Sequence, residues 1–151
     1  MQIIFSIAIG GAIGATLRFL LSRYIGSNFP SIFPIGTFII NMSGSFFIGF
    51  FYTIFDKIIA TPELRAFLLI GIIGAFTTFS TFVLETFNLF RDGEILQGFL
   101  NIFLSQSVGL ISLFLGIILA RIFMLGKFWF FLFIKFKWEV NHETCWKINV
   151  A

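Results

Sequence analysis

The sequence predicts an all-α integral membrane protein with four transmembrane helices, the third of them broken. Three observations carry this. Hydrophobic residues make up 58% of the 151-residue chain and charged residues only 11%, whereas a soluble domain carries about 25% charged residues. Mean hydropathy is +1.03, and at about 20 apolar residues per crossing the chain accommodates four spans with short connections and no soluble catalytic domain. Into the third apolar run intrudes a cluster of hydroxyls and a glutamate, in "GIIGAFTTFSTFVLET".

The first span is expected over Ile3–Leu21. No Lys or Arg precedes its apolar run, so it lacks the positive start of a cleaved signal peptide and reads as a span that stays. Gly10, Gly11, Gly14 and Ala15 form a small-residue stripe that lets another helix approach closely, and Arg18 and Arg23 mark the aqueous end. The connector "IGSNFPSIFPIG" is rich in turn formers, and Pro34 suits the first turn of a helix, where no backbone donor is needed. Span two, Ile35–Phe55, ends at Asp56 and Lys57. "TPELR" then reads as a helix start, with Thr61 at the N-cap, Pro62 after it and Glu63 at the positive end of the dipole. Span three is expected over Arg65–Leu89, closed by "RDGE", and span four over Ile95–Phe123.

After Phe123 the composition changes: all three tryptophans and the single histidine lie in the last quarter of the chain. "FWFFLFIKFKW" is too short to span. It suits the membrane interface, where Trp and Lys are favoured, and equally an unstructured extension. The chain thus divides into a membrane domain, residues 1–123, and an extension, residues 124–151, to which no role is assigned. His142 and Cys145 make half of a metal site with no second pair to complete it. One cysteine permits no internal disulfide.

The net charge of +3 does not imply nucleic acid here, because the basic residues sit at span ends and in the tail, where lipid headgroups are the partner. Up to Arg121, one side of the membrane receives Lys57, Arg65 and Arg121 and the other Arg18, Arg23 and Arg91. This balance sets no orientation for the core, as in a protein that inserts both ways round. The tail lysines Lys127, Lys135, Lys137 and Lys147 add to the first side.

The polar residues within spans demand partners, since an isolated amide in hydrocarbon costs several kcal/mol. They are Asn41, Ser43 and Ser45 in span two, the hydroxyl cluster and Glu85 in span three, and Asn101, Ser105, Gln106, Ser107 and Ser112 in span four. One small subunit hides only part of this set, so an oligomer is expected, most simply a symmetric dimer. A single Ser or Thr in a membrane helix usually bonds its own i−4 carbonyl. Four hydroxyls in "TTFST", preceded by two glycines, instead weaken the helix and free backbone groups, which is tolerated only inside protein or beside a cavity. Broken membrane helices tend to mark ion sites. Phe79 and Phe82, three apart on one face, bring positive ring edges to a small anion. Asn41 adds a neutral amide with two N–H donors; its formal glycosylation sequon lies mid-span and is not usable.

"GGAIGATLRF", "PIGTFIINMSGSFFIG" and "GIIGAFTTFSTFVLE" together resemble the Fluc/CrcB family of fluoride channels, in order from about Gly10 to Phe123. The resemblance implies an antiparallel, dual-topology homodimer with two pores in the cell inner membrane or plasma membrane of a microbial cell. It also implies passive fluoride export that relieves fluoride toxicity, and a structural sodium ion at the dimer centre. Carried onto this chain, the pore asparagine is Asn41 and the ring-edge phenylalanines are Phe79 and Phe82. The carbonyls offered to sodium are those of Gly74 and Thr77. Arg18 is the vestibule arginine that draws anions in, and Ser80, Thr81 and Glu85 are further candidates for the path. In the fourth span the family's polar track begins with tyrosine in many members and continues with a serine four residues on; this chain has Asn101 and Ser105 there.

No nucleophile–base pair, nucleotide loop or metal cluster points to an enzyme. Two other readings remain: a proton-coupled exporter using Glu85, the only acid within a span, and an assembly subunit without transport, which leaves Asn41 and the hydroxyl cluster unexplained.

Overall fold

The computed structural model describes the backbone of residues 1–148 and the side chains of residues 1–126. Four stretches are long and apolar enough to cross a membrane: Gln2–Asn28, Ile35–Lys57, Pro62–Arg91 and Ile95–Gly126. The secondary structure of the described residues is entirely helical.

Helix α1, Gln2–Asn28, runs about two turns beyond the expected boundary at Leu21. The polar residues that suggested a loop instead join the helix: Ser27 Oγ and Asn28 Nδ2 both donate to the Tyr24 carbonyl, at 3.0 and 2.8 Å, one turn back on the same helix. Helix α2 is Ile35–Lys57, with Pro34 at the cap one residue ahead of the helix. The third span opens as expected: the Thr61 side chain accepts from the Leu64 N–H at 3.3 Å, and Pro62 follows it. A short α3, Pro62–Arg65, passes into a π-helical segment, Ala66–Ile73, then α4, Gly74–Phe76. The chain extends at Thr77 and Thr78 (ψ 158° and 121°) before α5, Phe79–Arg91, resumes. The expected break is present. The π-helical stretch before it was not legible, because "AFLLIGII" has the composition of any buried helix.

Helix α6, Ile95–Ile148, continues without interruption past Phe123. The segment after Phe123 is therefore helix, not an unstructured extension. At 1.5 Å per residue its 54 residues reach about 80 Å, well beyond a hydrocarbon core of about 30 Å. The side chains of Trp129, His142, Cys145 and the tail lysines lie outside the described residues.

Two close backbone contacts hold the bundle. A Cβ on Gly10 or Gly14 would run into the carbonyls of Phe67 and Ile72, so α1 lies directly on the π-helical segment, and Gly71 meets Gly10 from the other side. Likewise, a Cβ on Gly49 would meet the Leu113 carbonyl and one on Gly116 the Phe46 carbonyl, which seats α2 on α6. Lipid tails are as apolar as leucine, so such intimate van der Waals packing is what drives helices together in a membrane. Arg65 also donates to the Phe55 carbonyl, tying the start of the third span to the end of the second.

Candidate ion pathway at the helix break

The site is organised around Thr77 and Thr78. Their extended conformation interrupts the helical ladder after the Thr77 N–H, which still bonds the Ile73 carbonyl at 3.1 Å, and other groups replace what is lost. Asn41, on α2, faces the Thr78 peptide: its Nδ2 donates to the Thr78 carbonyl at 3.0 Å and its Oδ1 accepts from the Thr78 N–H at 2.9 Å. The Thr77 carbonyl accepts from Arg18 Nη1 at 3.3 Å. Thr78 then starts the second half of the span as its N-cap: its Oγ1 accepts from the Thr81 N–H at 3.2 Å and donates to Thr81 Oγ1 at 3.0 Å. The break is thus a satisfied structure of a kind permitted at membrane depth.

Three hollows adjoin it. The first, about 300 Å³, is bounded by Asn41, Ser45, Gly74, Thr77, Phe79, Phe82 and Ser105 among others. A second, about 350 Å³, is lined by Arg18, Arg23, Ser22, Thr37, Thr78 and Thr81. The third, about 310 Å³, takes in Ser22, Thr37 and Glu85 together with Phe29, Pro30 and Pro34 of the α1–α2 connector. Thr78 borders the first and second, while Ser22 and Thr37 border the second and third. These shared residues string the three hollows into a polar series from the α1–α2 connector to the break.

The two rings at its inner end lie 5.8 Å apart, tilted by 40°. Phe82 is buried, but Phe79 is 72% exposed in the single subunit. Ser80 is exposed beside it, its Oγ 3.4 Å from Thr78 Oγ1. Gln106 and Ser107, mid-span on α6, are also exposed. Glu85 is half-buried: Thr37 donates to its Oε1 at 2.8 Å, and its buried Oε2 has no partner among the described residues.

Of the residues singled out from sequence, Asn41, Phe79, Phe82, Ser105, Gly74 and Thr77 meet at the first hollow, Arg18 and Thr81 at the second, and Glu85 at the third. Asn101 is absent from all three linings and is 1% exposed inside the subunit. Ser43 bonds back to Ile39 and Ile40 carbonyls, the ordinary behaviour of a membrane serine. Sequence reasoning passed over Thr78 as an individual residue, as well as Thr37 and Ser22. The Thr78-x-x-Thr81 spacing was the available signal, because a hydroxyl N-cap bonds the amide three residues on. Nothing local marks Thr37 or Ser22, whose roles come from neighbours distant in sequence.

A bundle of four spans with a broken third helix and a polar route inside it defines a multi-pass membrane protein of the transport class. Residues 5–117 match the family model described as CrcB-like protein, Camphor Resistance (CrcB). A curated relative from Aquifex aeolicus (strain VF5), "Fluoride-specific ion channel FluC", is 47% identical over 123 residues, covering 80% of this chain and 98% of its own length. Relatives of the same name from Parabacteroides distasonis and Nitratiruptor sp. are each 44% identical, over 78% and 80% of this chain and 92% and 93% of theirs. The chain belongs to the CrcB family.

Proposed function

We propose that the chain is a subunit of a fluoride-selective passive channel that exports fluoride across the cell membrane and so relieves fluoride toxicity. The observation that carries this is the series of polar hollows that runs past Glu85, Arg18 and Arg23 to Asn41 and two phenylalanines. Fluoride is small and holds water strongly, so a selective path must offer replacement donors at close quarters. Arg18 and Arg23 at the second hollow concentrate anions at its wide part. Beyond them the donors are uncharged, and a neutral amide or hydroxyl releases the ion more readily than a buried ammonium. Phe79 and Phe82 present positive ring edges, and α5 begins beside them with its positive dipole end, the Thr81 N–H of its first turn being taken by Thr78 Oγ1.

Beside the inner hollow and on the facing stretch of α6, Phe79, Ser80, Gln106 and Ser107 stay uncovered. A second copy laid antiparallel covers that face and supplies the other half of the crossing, giving a dual-topology homodimer with two pathways. The even distribution of basic residues over the core agrees with insertion in both orientations.

A structural sodium ion at the dimer centre fits the donor chemistry at Gly74. Its carbonyl has no backbone N–H from Thr78, which is given to Asn41 instead; it takes only a long bond from the Thr77 hydroxyl at 3.4 Å, and it borders the first hollow. The Thr77 carbonyl already takes an Arg18 N–H, so only its second lone pair is left for a cation. Gly74 and Thr77 of both copies would hold the ion, which on binding would fix the two broken helices against each other.

Purified protein in liposomes loaded with fluoride should discharge it on addition of a potassium ionophore, while chloride-loaded vesicles stay full. Absence of fluoride efflux from well-folded protein refutes the channel reading. A proton-coupled exporter is the second reading, favoured by the unpaired Oε2 of Glu85. It requires that flux follow an imposed pH gradient and vanish in Glu85→Gln.

A further inference from the structure

Asn101 stands apart from the other polar residues of the fourth span. It is 1% exposed and borders none of the hollows, yet both ends of its hydrogen-bond chain do. Ser105 Oγ donates to Asn101 Oδ1 at 3.3 Å, Asn101 Nδ2 donates to Thr86 Oγ1 at 2.9 Å, and Thr86 Oγ1 donates to the Phe82 carbonyl at 2.8 Å. Ser105 and Phe82 are the residues at those ends, and both line the first hollow. Each donor in this chain of bonds points the same way, from the serine on α6 towards the backbone of α5.

We infer that Asn101 is a positioning residue, which sets the Ser105 hydroxyl and the Phe82 ring in register across the pathway without touching the ion. This rests on the channel reading above. A serine without such a partner bonds its own i−4 carbonyl, which would turn its hydroxyl into the helix. Asn101 gives it a side-chain acceptor instead, and the 3.3 Å bond is the longest of the three. As an anion arrives, Ser105 exchanges one acceptor for another, so the ion gains a donor with little net binding and leaves again easily. Bonds in an enclosed chain strengthen one another, so loss of the amide at the centre uncouples both ends at once. In α5 the consequence falls on Thr86 and Phe82, one turn apart.

The test is fluoride efflux from liposomes, by fluoride electrode, for wild type, Asn101→Leu, Ser105→Ala, Thr86→Val and the doubles, with thermal stability of each protein measured in detergent. Asn101→Leu should slow efflux by about fivefold to tenfold, the scale of one hydrogen bond. Adding Ser105→Ala to it should slow efflux no further. Asn101→Gln, which keeps donor and acceptor, should recover part of the rate. Effects of Asn101→Leu and Ser105→Ala that multiply, with melting temperature falling in step, overturn the inference and leave Asn101 a purely structural tie. If Asn101→Leu does not fold, Thr86→Val with Ser105→Ala decides the same question: non-multiplying effects support the chain and multiplying ones overturn it. A wild type without fluoride efflux refutes the channel reading itself, a result distinct from either.

Discussion

The third and fourth spans are alike in hydropathy, 2.1 and 2.5 over their most apolar windows, and both carry several polar side chains. One is broken at its centre and the other runs on as unbroken helix. The difference lies in where the polar groups find partners. On α6, Asn101 and Ser105 bond to side chains, leaving the backbone ladder intact. In the third span, Thr78 gives its side chain to the next helix start and its peptide group to Asn41. Hydroxyls alone do not break a membrane helix; a neighbouring group able to take over its backbone bonds does.

The sharpest way to break that comparison is Asn41→Leu, which strips both bonds from the Thr78 peptide. The Thr78 N–H is left unpaired, while its carbonyl keeps the first bond of α5; one such group costs about 1–3 kcal/mol, so the melting temperature in detergent should fall and fluoride efflux should stop. An undiminished melting temperature would mean that the break sustains itself. Next come Gly14→Leu on the third-span contact and Gly116→Leu on the fourth-span contact. Each forces a side chain onto a carbonyl of the facing helix, and each should cost about 3 kcal/mol. Equal losses would show that close packing serves both spans alike and that only Asn41 distinguishes them. Phe79→Ile and Phe82→Ile should slow efflux while the purified oligomer keeps its size on gel filtration; unchanged efflux in both would remove the ring edges from the pathway. Thr61→Ala, which deletes the cap at the start of the third span, should cost about 1 kcal/mol in thermal unfolding. Smallest of all is Ser43→Ala, expected within about 0.5 kcal/mol, because that hydroxyl serves only its own helix.

Much of this was legible because it is local. Thr61-Pro62 marked a helix start that is present, and the density of "TTFST" marked a break that falls within it. The end of α1 was misjudged because Ser27 and Asn28 read equally as loop formers and as groups that close a last turn. Thr37 was invisible because its partner, Glu85, is 48 positions away. The burial of Asn101, at 1% exposure and bonded to Thr86, was equally hidden, because it depends on how α5 and α6 meet.

Composition, hydropathy and the spacing of turn residues determined by themselves that this chain crosses a membrane four times and where its third helix gives way. These depend on the free energy of moving each residue into hydrocarbon and on the ability of nearby side chains to compete with the helix. Which polar groups line a route and which brace it was decided only by the tertiary structure. Glycine contacts bring helices within backbone distance, and that approach fixes which donor meets which acceptor.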